Sequence, residues 1–416
     1  MMGLVYHNNT KNTTTSAVKD SEGNIYIFGS STTVKTHDDF TLQKLKPDLT
    51  LDWSARIDCF GWNERPRRVL LDEKHKALYV IGHTDDNASA KMVYVVKCDL
   101  GGHFKWQKSI RGYHSKVDCA VQNLAVDDAG DLYLASEIPS EKTLRDPCLL
   151  KLSGETGKVL NEDEKPTPLA KDVGMGWAIS VVLDSDSVYI SGADTDANEA
   201  PTTYIACYDH SLKTRKWVQP YPKLKGATLL LNGKHLYAYS DAGFTVRELN
   251  KGNGRTVWEH HQRDLDRGAT LEGSATLDPT NGDIVIAGES QWKGRSAMMI
   301  VRYTATGKPK APQVCIYPQY HRLQGWTRVV ADTKGNVYAT ATGSFQLHQN
   351  EFWTFRFPPE GGEPTLWKEQ GDGKVADEKL RDLILDKNEN PVAVGVLSNR
   401  KTGLDIVAVR YLVNPH

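Results

Sequence analysis

The sequence has few cysteines, almost no net charge and no long apolar segment. Six cysteines are scattered over 416 residues without a C-x-x-C pair, which argues against a disulfide scaffold and against a zinc site. The 51 lysines and arginines are balanced by 52 acidic residues, so no basic field would hold a phosphate backbone. No apolar run approaches the roughly 18–20 residues that a membrane span needs. We therefore expect a cytoplasmic protein with no nucleic-acid or membrane partner, or a secreted one if a leader has been removed.

What the sequence does contain is an internal repeat. A turn rich in Asp, Gly and Asn, followed by an alternating segment with an aromatic residue, recurs eight times at intervals of 46 to 57 residues. We call the first residue of each turn the anchor of its copy. The anchors are Asp20, Asp72, Asp127, Asp184, Asn232, Asp278, Asp332 and Asp386. Because the copies span the chain, we expect residues 1–416 to form a single domain.

Each copy predicts four antiparallel strands. Apolar alternation on both sides of the anchor turn predicts a β-hairpin. A further alternating run predicts a third strand, and a short turn leads from it to a fourth. Four strands per repeat are typical of a propeller blade. The sequence therefore predicts an all-β fold, a β-propeller of eight blades, or of seven if the short copy at Asn232 is irregular.

The two ends of the chain predict how the last blade is completed. After the third strand of the last copy only Val413–His416 remain, too few for a fourth strand. At the other end, Gly3–His7 is strand-like and precedes the first copy. We expect this N-terminal strand to supply the missing strand of the last blade.

The residues that repeat are expected to be structural. Anchors and glycines shape the turns, and the recurrent aromatic residues pack within and between blades. Those residues are Tyr26, Tyr79, Tyr133, Tyr189, Tyr237 and Tyr338 in second strands, and Trp53, Trp106, Trp217, Trp258 and Trp367 in fourth strands. Cys98, Cys148 and Cys207 should behave as small buried hydrophobic residues.

Two segments, 151–158 and 249–258, resemble the tryptophan-docking repeat of eight-bladed quinoprotein dehydrogenases. That repeat is a packing device. The sequence has neither the adjacent cysteine pair nor a ligand set for the calcium-bound quinone of those enzymes, so we expect neither a cofactor nor a metal.

Function should be sought in two sets of loops on the face opposite the anchor turns, because loops on a rigid scaffold hold most binding residues. The loops between blades contain Trp62, Arg65, Arg67, Tyr113, His114, Lys116, Trp177, His260, His261, Arg263, Arg267, Glu272, Tyr317, Tyr320, His321, Arg322 and Trp326. The loops between second and third strands contain His83, Glu137, Asp194, Glu289, Gln291 and Trp292.

A Gly-Trp dipeptide occurs in three loops between blades, at Trp62, Trp177 and Trp326. One interpretation is that these indoles only cap the first strands. The other is that they form an aromatic pocket of the kind that binds small molecules. His can exchange a proton near neutral pH and Arg can hold an oxyanion. No Ser/His/Asp order, metal-ligand spacing or phosphate loop is present, which leaves proton transfer, dehydration or the shaping of a reactive substrate.

The second interpretation yields a predicted site. The predicted catalytic residues are His114, His261, Tyr320 and Arg65, and the predicted substrate-binding residues are Trp62, Arg67, Trp177, Glu272, His321, Arg322 and Trp326.

In length, degenerate blades and aromatic loops between blades, the chain resembles the fungal hetero-Diels–Alderases of tropolonic sesquiterpenoid pathways. The resemblance implies a cofactor-independent pericyclase that dehydrates a tropolone-type alcohol to a quinone methide and adds it to a terpene alkene. Arg65, Arg67 or Arg322 would then hold the tropolone oxygens, and His114, His261 or Tyr320 would protonate the departing water. The three indoles would stack on the ring and exclude bulk water.

The alternative hypothesis is a non-catalytic propeller. Such a protein would bind a small ligand or a protein partner on the same loop face without transforming it. The residues alone leave both functions open.

Overall fold

In the computed structural model, strands and turns account for the part of the chain that can be described. That part comprises residues 2–6, 10–32, 38–59, 63–85, 92–110, 120–137, 147–161, 167–168, 176–194, 202–222, 224, 226–240, 244–261, 274–292, 295–316, 321–345, 349–359, 361–369, 379–399, 401 and 403–413. No helix long and apolar enough to cross a membrane occurs among these residues.

The chain is an all-β protein with the β-propeller fold, and it has eight four-stranded blades. An N-terminal strand, β1 (Met2–Tyr6), precedes blade 1. The first four blades are β2 (Thr10–Lys19), β3 (Ile25–Thr32), β4 (Asp38–Leu45) and β5 (Leu51–Ile57); β6 (Asn63–Asp72), β7 (Ala77–Asp85), β8 (Met92–Asp99) and β9 (Phe104–Ile110); β10 (Ala120–Val126), β11 (Leu132–Glu137), β12 (Pro147–Leu152) and β13 (Thr167–Pro168); and β14 (Gly176–Leu183), β15 (Val188–Asp194), β16 (Thr202–Tyr208) and β17 (Arg215–Pro222).

The remaining blades follow the same order of antiparallel strands. They are β18 (Thr228–Asn232), β19 (His235–Ser240), β20 (Thr245–Leu249) and β21 (Thr256–His260); β22 (Ser274–Leu277), β23 (Ile284–Trp292), β24 (Arg295–Tyr303) and β25 (Gln313–Ile316); β26 (His321–Ala331), β27 (Val337–Phe345), β28 (Gln349–Phe357) and β29 (Thr365–Glu369); and β30 (Lys379–Leu385), β31 (Pro391–Asn399) and β32 (Gly403–Arg410). Blade 5, the short copy at Asn232, keeps all four strands, so the eight-bladed prediction is confirmed.

The blades fall into two compact units. Unit 2 contains blades 2 to 5, and unit 1 contains blades 1, 6, 7 and 8. The sequence-based expectation of one domain over residues 1–416 stays a prediction.

The N-terminal strand completes blade 8, as the sequence predicted. Strand β1 pairs antiparallel with β32, with Met2 opposite Val409 and Leu4 opposite Val407. The start of β2 also pairs with β32, in parallel, at Thr10. Both ends of the chain are therefore joined within unit 1.

The anchors and the second-strand tyrosines are linked by hydrogen bonds. The Asp20 carboxylate accepts the backbone N–H of Asn24 at 2.8 Å and the Tyr26 hydroxyl at 3.1 Å. The pair Asp332 and Tyr338 repeats the hydroxyl contact at 3.0 Å. The tyrosines are buried, as predicted, and the hydrogen bond explains why this position favours Tyr over Phe, since it satisfies a buried carboxylate.

Two fourth-strand tryptophans dock on the next blade of unit 2. The Trp106 indole donates to the Gly154 carbonyl at 3.2 Å, and Trp217 donates to the Lys251 carbonyl at 2.7 Å. A Cβ added to Gly254 would lie 2.6 Å from the Trp217 ring. The resemblance of segments 151–158 and 249–258 to a tryptophan-docking repeat is thereby confirmed as a packing device.

The first strands of neighbouring blades are joined by the residue four positions before the anchor. In unit 2, Arg68 donates to the Asn123 side chain at 2.8 Å, and the Leu229 N–H donates to the Ser180 hydroxyl at 3.2 Å. In unit 1, the Ala17 N–H donates to the Asp382 carboxylate at 2.8 Å. The first strands thus lie on the inner side of each unit.

We expect removal of residues 1–6 to lower the melting temperature of the protein by more than about 5 °C. The deletion leaves β32 as an unprotected edge, and each kcal/mol lost shifts Tm by roughly 2–4 °C in domains of 150–250 residues. Circular dichroism measures the effect. Deletion of residues 414–416 serves as the control and should leave Tm within about 1 °C, and an equal Tm for both truncations would contradict the completion of blade 8 by β1.

The tryptophan docking predicts the effect of a methyl group at Gly254. Gly254 and Gly361 both have positive φ, 72° and 74°, and both pay the left-handed cost of about 1–2 kcal/mol when replaced by Ala. No atom lies within 4 Å of a Cβ at Gly361. Gly254→Ala should therefore lower the free energy of unfolding by about 1–3 kcal/mol more than Gly361→Ala. Urea denaturation compares the two variants, and equal losses would rule out the steric docking.

Candidate functional site

Within the described hairpins, the first strands of blades 1 to 4, 7 and 8 carry a β-bulge, and the residues before it end at the loop side of the blade. The register of the hairpin shifts five residues before the anchor, for example between Pro66 and Arg68 and between Ala178 and Ser180. The first-strand residue seven positions before the anchor lies directly opposite a residue of the second strand. We call these cross-strand pairs the loop-side row. Bulges of this kind re-aim side chains next to functional sites.

The loop-side row of unit 2 contains three pairs. They are Arg65 with His83 in blade 2, Ala120 with Glu137 in blade 3, and Trp177 with Ala193 in blade 4. Directly opposite residues of antiparallel strands project to the same face of the sheet. The row therefore places a guanidinium beside an imidazole, a carboxylate in the next blade, and an indole in the blade after that.

The row combines exposed groups with buried ones. Arg65 is exposed and Trp177 is 37% exposed, whereas His83 is 4% and Glu137 is 5% exposed. Trp177 is one of several large apolar side chains that are exposed among the described residues, with Phe104 at 54% another. The exposed Arg and Trp can contact a ligand directly, and the buried His and Glu lie behind them.

The second-strand members of the row face the next blade. Side chains alternate along β7, so His83 lies on the same face as Tyr79 and Ile81, which pack against Val121 of blade 3. In unit 1 the corresponding residue of blade 7, Thr342, accepts the Leu380 N–H of blade 8 at 3.1 Å. Second-strand residues of the row are thus positioned between blades.

Glu137 also contacts the bulge of its own blade. The Gln122 amide donates to the Glu137 carboxylate at 3.4 Å, and Gln122 is the residue at which the register of β10 shifts. In blade 2 the bulge residue is Arg67, which is exposed, and in blade 4 it is the half-buried Ile179. The bulges therefore add a second guanidinium and an apolar group to the row.

The corresponding row of unit 1 has a different chemistry. It contains Thr13 with Ser30, whose hydroxyls are 2.8 Å apart, and Lys379 with Val396. At the same level of unit 1, β23 carries the half-buried Glu289, so among the described side chains it is the presence of His and Trp together with Glu that sets unit 2 apart. The chemically diverse part of the row is therefore the part in unit 2.

The structure describes some of the sequence-predicted site residues and not others. Arg65 and Arg67 lie on β6, Trp177 lies on β14, and His261 is an exposed residue directly after β21. His321, Arg322 and Trp326 belong to β26, and only their backbone is described; Trp62, His114, Glu272 and Tyr320 lie outside the described residues. Arg65 and Trp177 occupy the same position of the repeat in blades 2 and 4, with blade 3 between them, and the grouping of the predicted residues into one site stays a prediction.

The three Gly-Trp dipeptides do not share one position of the repeat. Trp62 precedes its anchor by ten residues, Trp177 by seven and Trp326 by six. Counting back from the anchor would have distinguished them in the sequence, and the same count selects Arg65. In the sequence, His83 and Glu137 belong to the loops between second and third strands. Only the register of the folded hairpins places His83 opposite Arg65 and Glu137 opposite the start of β10.

The cysteines of the third strands provide no nucleophile. Cys98, Cys148 and Cys207 are buried, as predicted. Burial, with a smaller contribution from Asp99, raises the pKa of the Cys98 thiol to about 11, and burial also raises the pKa of Cys207. The thiols of Cys98 and Cys207 are therefore protonated near neutral pH and unreactive. The chemistry open to the row is therefore ligand binding through Arg and Trp, and proton exchange at His or Glu.

Comparisons with known proteins establish the fold. No protein-family model matches the chain, and neither does any curated protein. BamB from Moraxella catarrhalis is 11% identical over 98% of this chain and 100% of that chain, with a TM-score of 0.53. The WD40 domain of SCAP from fission yeast is 9% identical over 99% and 96% of the two chains, with a TM-score of 0.51. At these identities the similarity is one of fold, and the chain is similar to these proteins as a β-propeller.

Proposed function

We propose that this protein binds a small, flat, oxygen-bearing organic molecule at the loop-side row of unit 2. The observation that carries the proposal is the occurrence of an exposed guanidinium, Arg65, and an exposed indole, Trp177, at the same position of the repeat in blades 2 and 4 of one unit. Arg65 and Arg67 supply charge-assisted hydrogen bonds to oxygen. Trp177 and Ile179 supply an apolar wall on which a ring can stack.

The unit 2 row suits a small molecule better than a flat protein surface. Small-molecule sites are lined mainly by apolar and aromatic groups, with a few polar groups that orient the ligand. In the row, the buried His83 and Glu137 lie behind the exposed side chains and are held by the scaffold. Groups held in this way orient a ligand at little cost in conformational freedom.

The finer form of this proposal is the reaction that the resemblance to hetero-Diels–Alderases implies. Arg65 and Arg67 would hold the oxygens of a tropolone-type alcohol, and Trp177 would cover one face of its ring. Loss of water would leave a quinone methide, and its addition to an alkene would be directed by the orientation of the two partners. Proton donation to the leaving water is assigned to His114, His261 or Tyr320 by the sequence alone. The row supports binding more directly than this chemistry.

Titration with tropolone, followed by calorimetry, tests the binding site. Arg65→Ala and Trp177→Ala should each weaken binding about tenfold or more, since a charge-assisted hydrogen bond contributes about 1.5–3 kcal/mol and tenfold corresponds to about 1.4 kcal/mol. Both side chains are exposed, so Tm should stay within about 2 °C of the parent value. The matched controls are Arg255→Ala and Phe104→Ala, which remove an exposed arginine in a turn and an exposed aromatic residue of β9.

Two outcomes would contradict the proposal. Unchanged affinity in Arg65→Ala and Trp177→Ala would place the ligand elsewhere. A fall in Tm of many degrees in these two variants, with the controls unaffected, would favour the interpretation that the indole caps its strand.

A separate experiment tests the reaction. The pure protein, without added metal or cofactor, is incubated with a tropolone-type alcohol and a macrocyclic terpene alkene, and the adduct is resolved by chiral chromatography. An enzyme gives one enantiomer in excess. A racemic adduct formed at the rate of the buffer background would eliminate the pericyclase and leave a binding protein.

A further inference from the structure

A buried histidine in the row of unit 2 can exchange a proton that the function proposed above does not use. His83 lies directly opposite Arg65 on one side and opposite Val93 of β8 on the other. It is 4% exposed. The imidazole is thus a titratable group held behind the exposed guanidinium that would meet the ligand.

The position of His83 is set by the scaffold. On β7, His83 lies on the same face as Tyr79 and Ile81. That face packs on blade 3, where Val121 and Leu134 belong to the same buried cluster. The equivalent position in blade 7 is Thr342, which accepts a backbone N–H of the next blade. A hydroxyl is sufficient for that structural contact. Histidine at the same position adds a proton that can be gained or lost near neutral pH.

The charged residues of β6 beside His83 have both signs, and the buried Glu64 lies opposite Thr84 on the other face of the hairpin. Arg65 and Arg67 lie on β6 beside His83, and Arg68 on the same strand is bound to Asn123. From blade 3, Cys148 of β12 belongs to the same buried cluster as Ile81. Glu137 lies on the face of β11 that is directed away from blade 2. This face carries Tyr133 and packs on blade 4. Among the described residues, the charged residue directly opposite His83 in the hairpin is Arg65.

A guanidinium beside a histidine disfavours the imidazolium form. When a negatively charged group binds at Arg65, its charge offsets that of the guanidinium, and the imidazolium becomes more favourable. By linkage, a proton that binds more tightly to the occupied site makes the anion bind more tightly at low pH. The imidazole of His83 is buried, which limits solvent screening on its side of the coupling, whereas the Arg65 guanidinium is exposed.

We propose that the ligand of the unit 2 row is an organic anion and that His83 takes up a proton when the anion binds at Arg65. This inference rests on the proposed function and adds the charge of the ligand and the residue that responds to it. Glu137, which faces blade 4, does not take part in the proton uptake.

The probe is 2-naphthoate, a flat aromatic carboxylate that stays ionised from pH 6 to pH 8, because carboxyl groups titrate near pH 4. Calorimetry at pH 7 in two buffers of different ionisation enthalpy counts the protons taken up by the wild-type protein. We expect net uptake and an affinity at least threefold stronger at pH 6 than at pH 8. The neutral analogue 2-naphthamide should bind with the same affinity at both pH values.

Variants assign the proton to one residue. In His83→Gln, the amide can still accept a backbone N–H, and the affinity for 2-naphthoate should become equal at pH 6 and pH 8. The matched control is His103→Gln, which replaces an exposed histidine in the turn between β8 and β9 and should keep the wild-type pH dependence. If His83→Gln does not fold, the proton count on the wild-type protein still tests the uptake.

The outcomes separate this inference from the proposed function. Binding of 2-naphthoate with no proton uptake, or a pH dependence retained in His83→Gln, would overturn the role of His83 and leave the binding site in place. Binding of 2-naphthamide without binding of 2-naphthoate would overturn the anionic ligand alone. If neither compound nor tropolone binds, the proposed function and this inference both fall.

Discussion

The first strand of each blade in unit 2 has one edge without a strand partner, and the way that edge is satisfied controls much of the structure. Strands β6, β10, β14 and β18 each begin their sheet. A buried backbone N–H that has no acceptor lowers the stability of the folded protein by an amount comparable to a lost hydrogen bond. Side chains of the neighbouring blade provide the partner, as Ser180 does for the Leu229 N–H. Blades are therefore held by directional contacts as well as by apolar packing.

This constraint explains where chemical variation is tolerated. The residue four positions before the anchor must be polar and correctly placed, because it joins two blades. The bulge lies one residue further toward the loop side. The residues beyond it do not have to join two blades, so their side chains can vary. Position seven before the anchor is accordingly Thr13 in blade 1, Arg65 in blade 2 and Trp177 in blade 4. A repeated scaffold can thus carry unlike functional groups at one level without loss of its inter-blade contacts.

Most of the fold could be predicted from the sequence because it repeats. Eight turns rich in Asp, Gly and Asn, a tyrosine in six of the second strands and the short C-terminal remainder predicted eight blades and the pairing of β1 with β32. The predicted packing of Trp106 and Trp217 was also confirmed, because a docked indole leaves a glycine-rich turn as its counterpart in the sequence. The hydrogen bonds of Tyr26, Tyr133, Tyr189 and Tyr338 to their anchors were not predicted, since packing alone already accounted for a buried aromatic residue.

The candidate site was predicted less well, and the reason is physical. Hydrophobic period and turn residues are local signals, so the sequence by itself determined the blades, their strands and the loop face on which function was sought. It listed Arg65 with one loop set and His83 with another, because 18 residues separate them in the chain. Only the tertiary structure placed them opposite each other, through a hairpin register that depends on a bulge. A bulge changes which residues share a face of the sheet, and it leaves the composition of the strand unchanged. The folded structure therefore decided the row that contains Arg65, His83, Glu137 and Trp177.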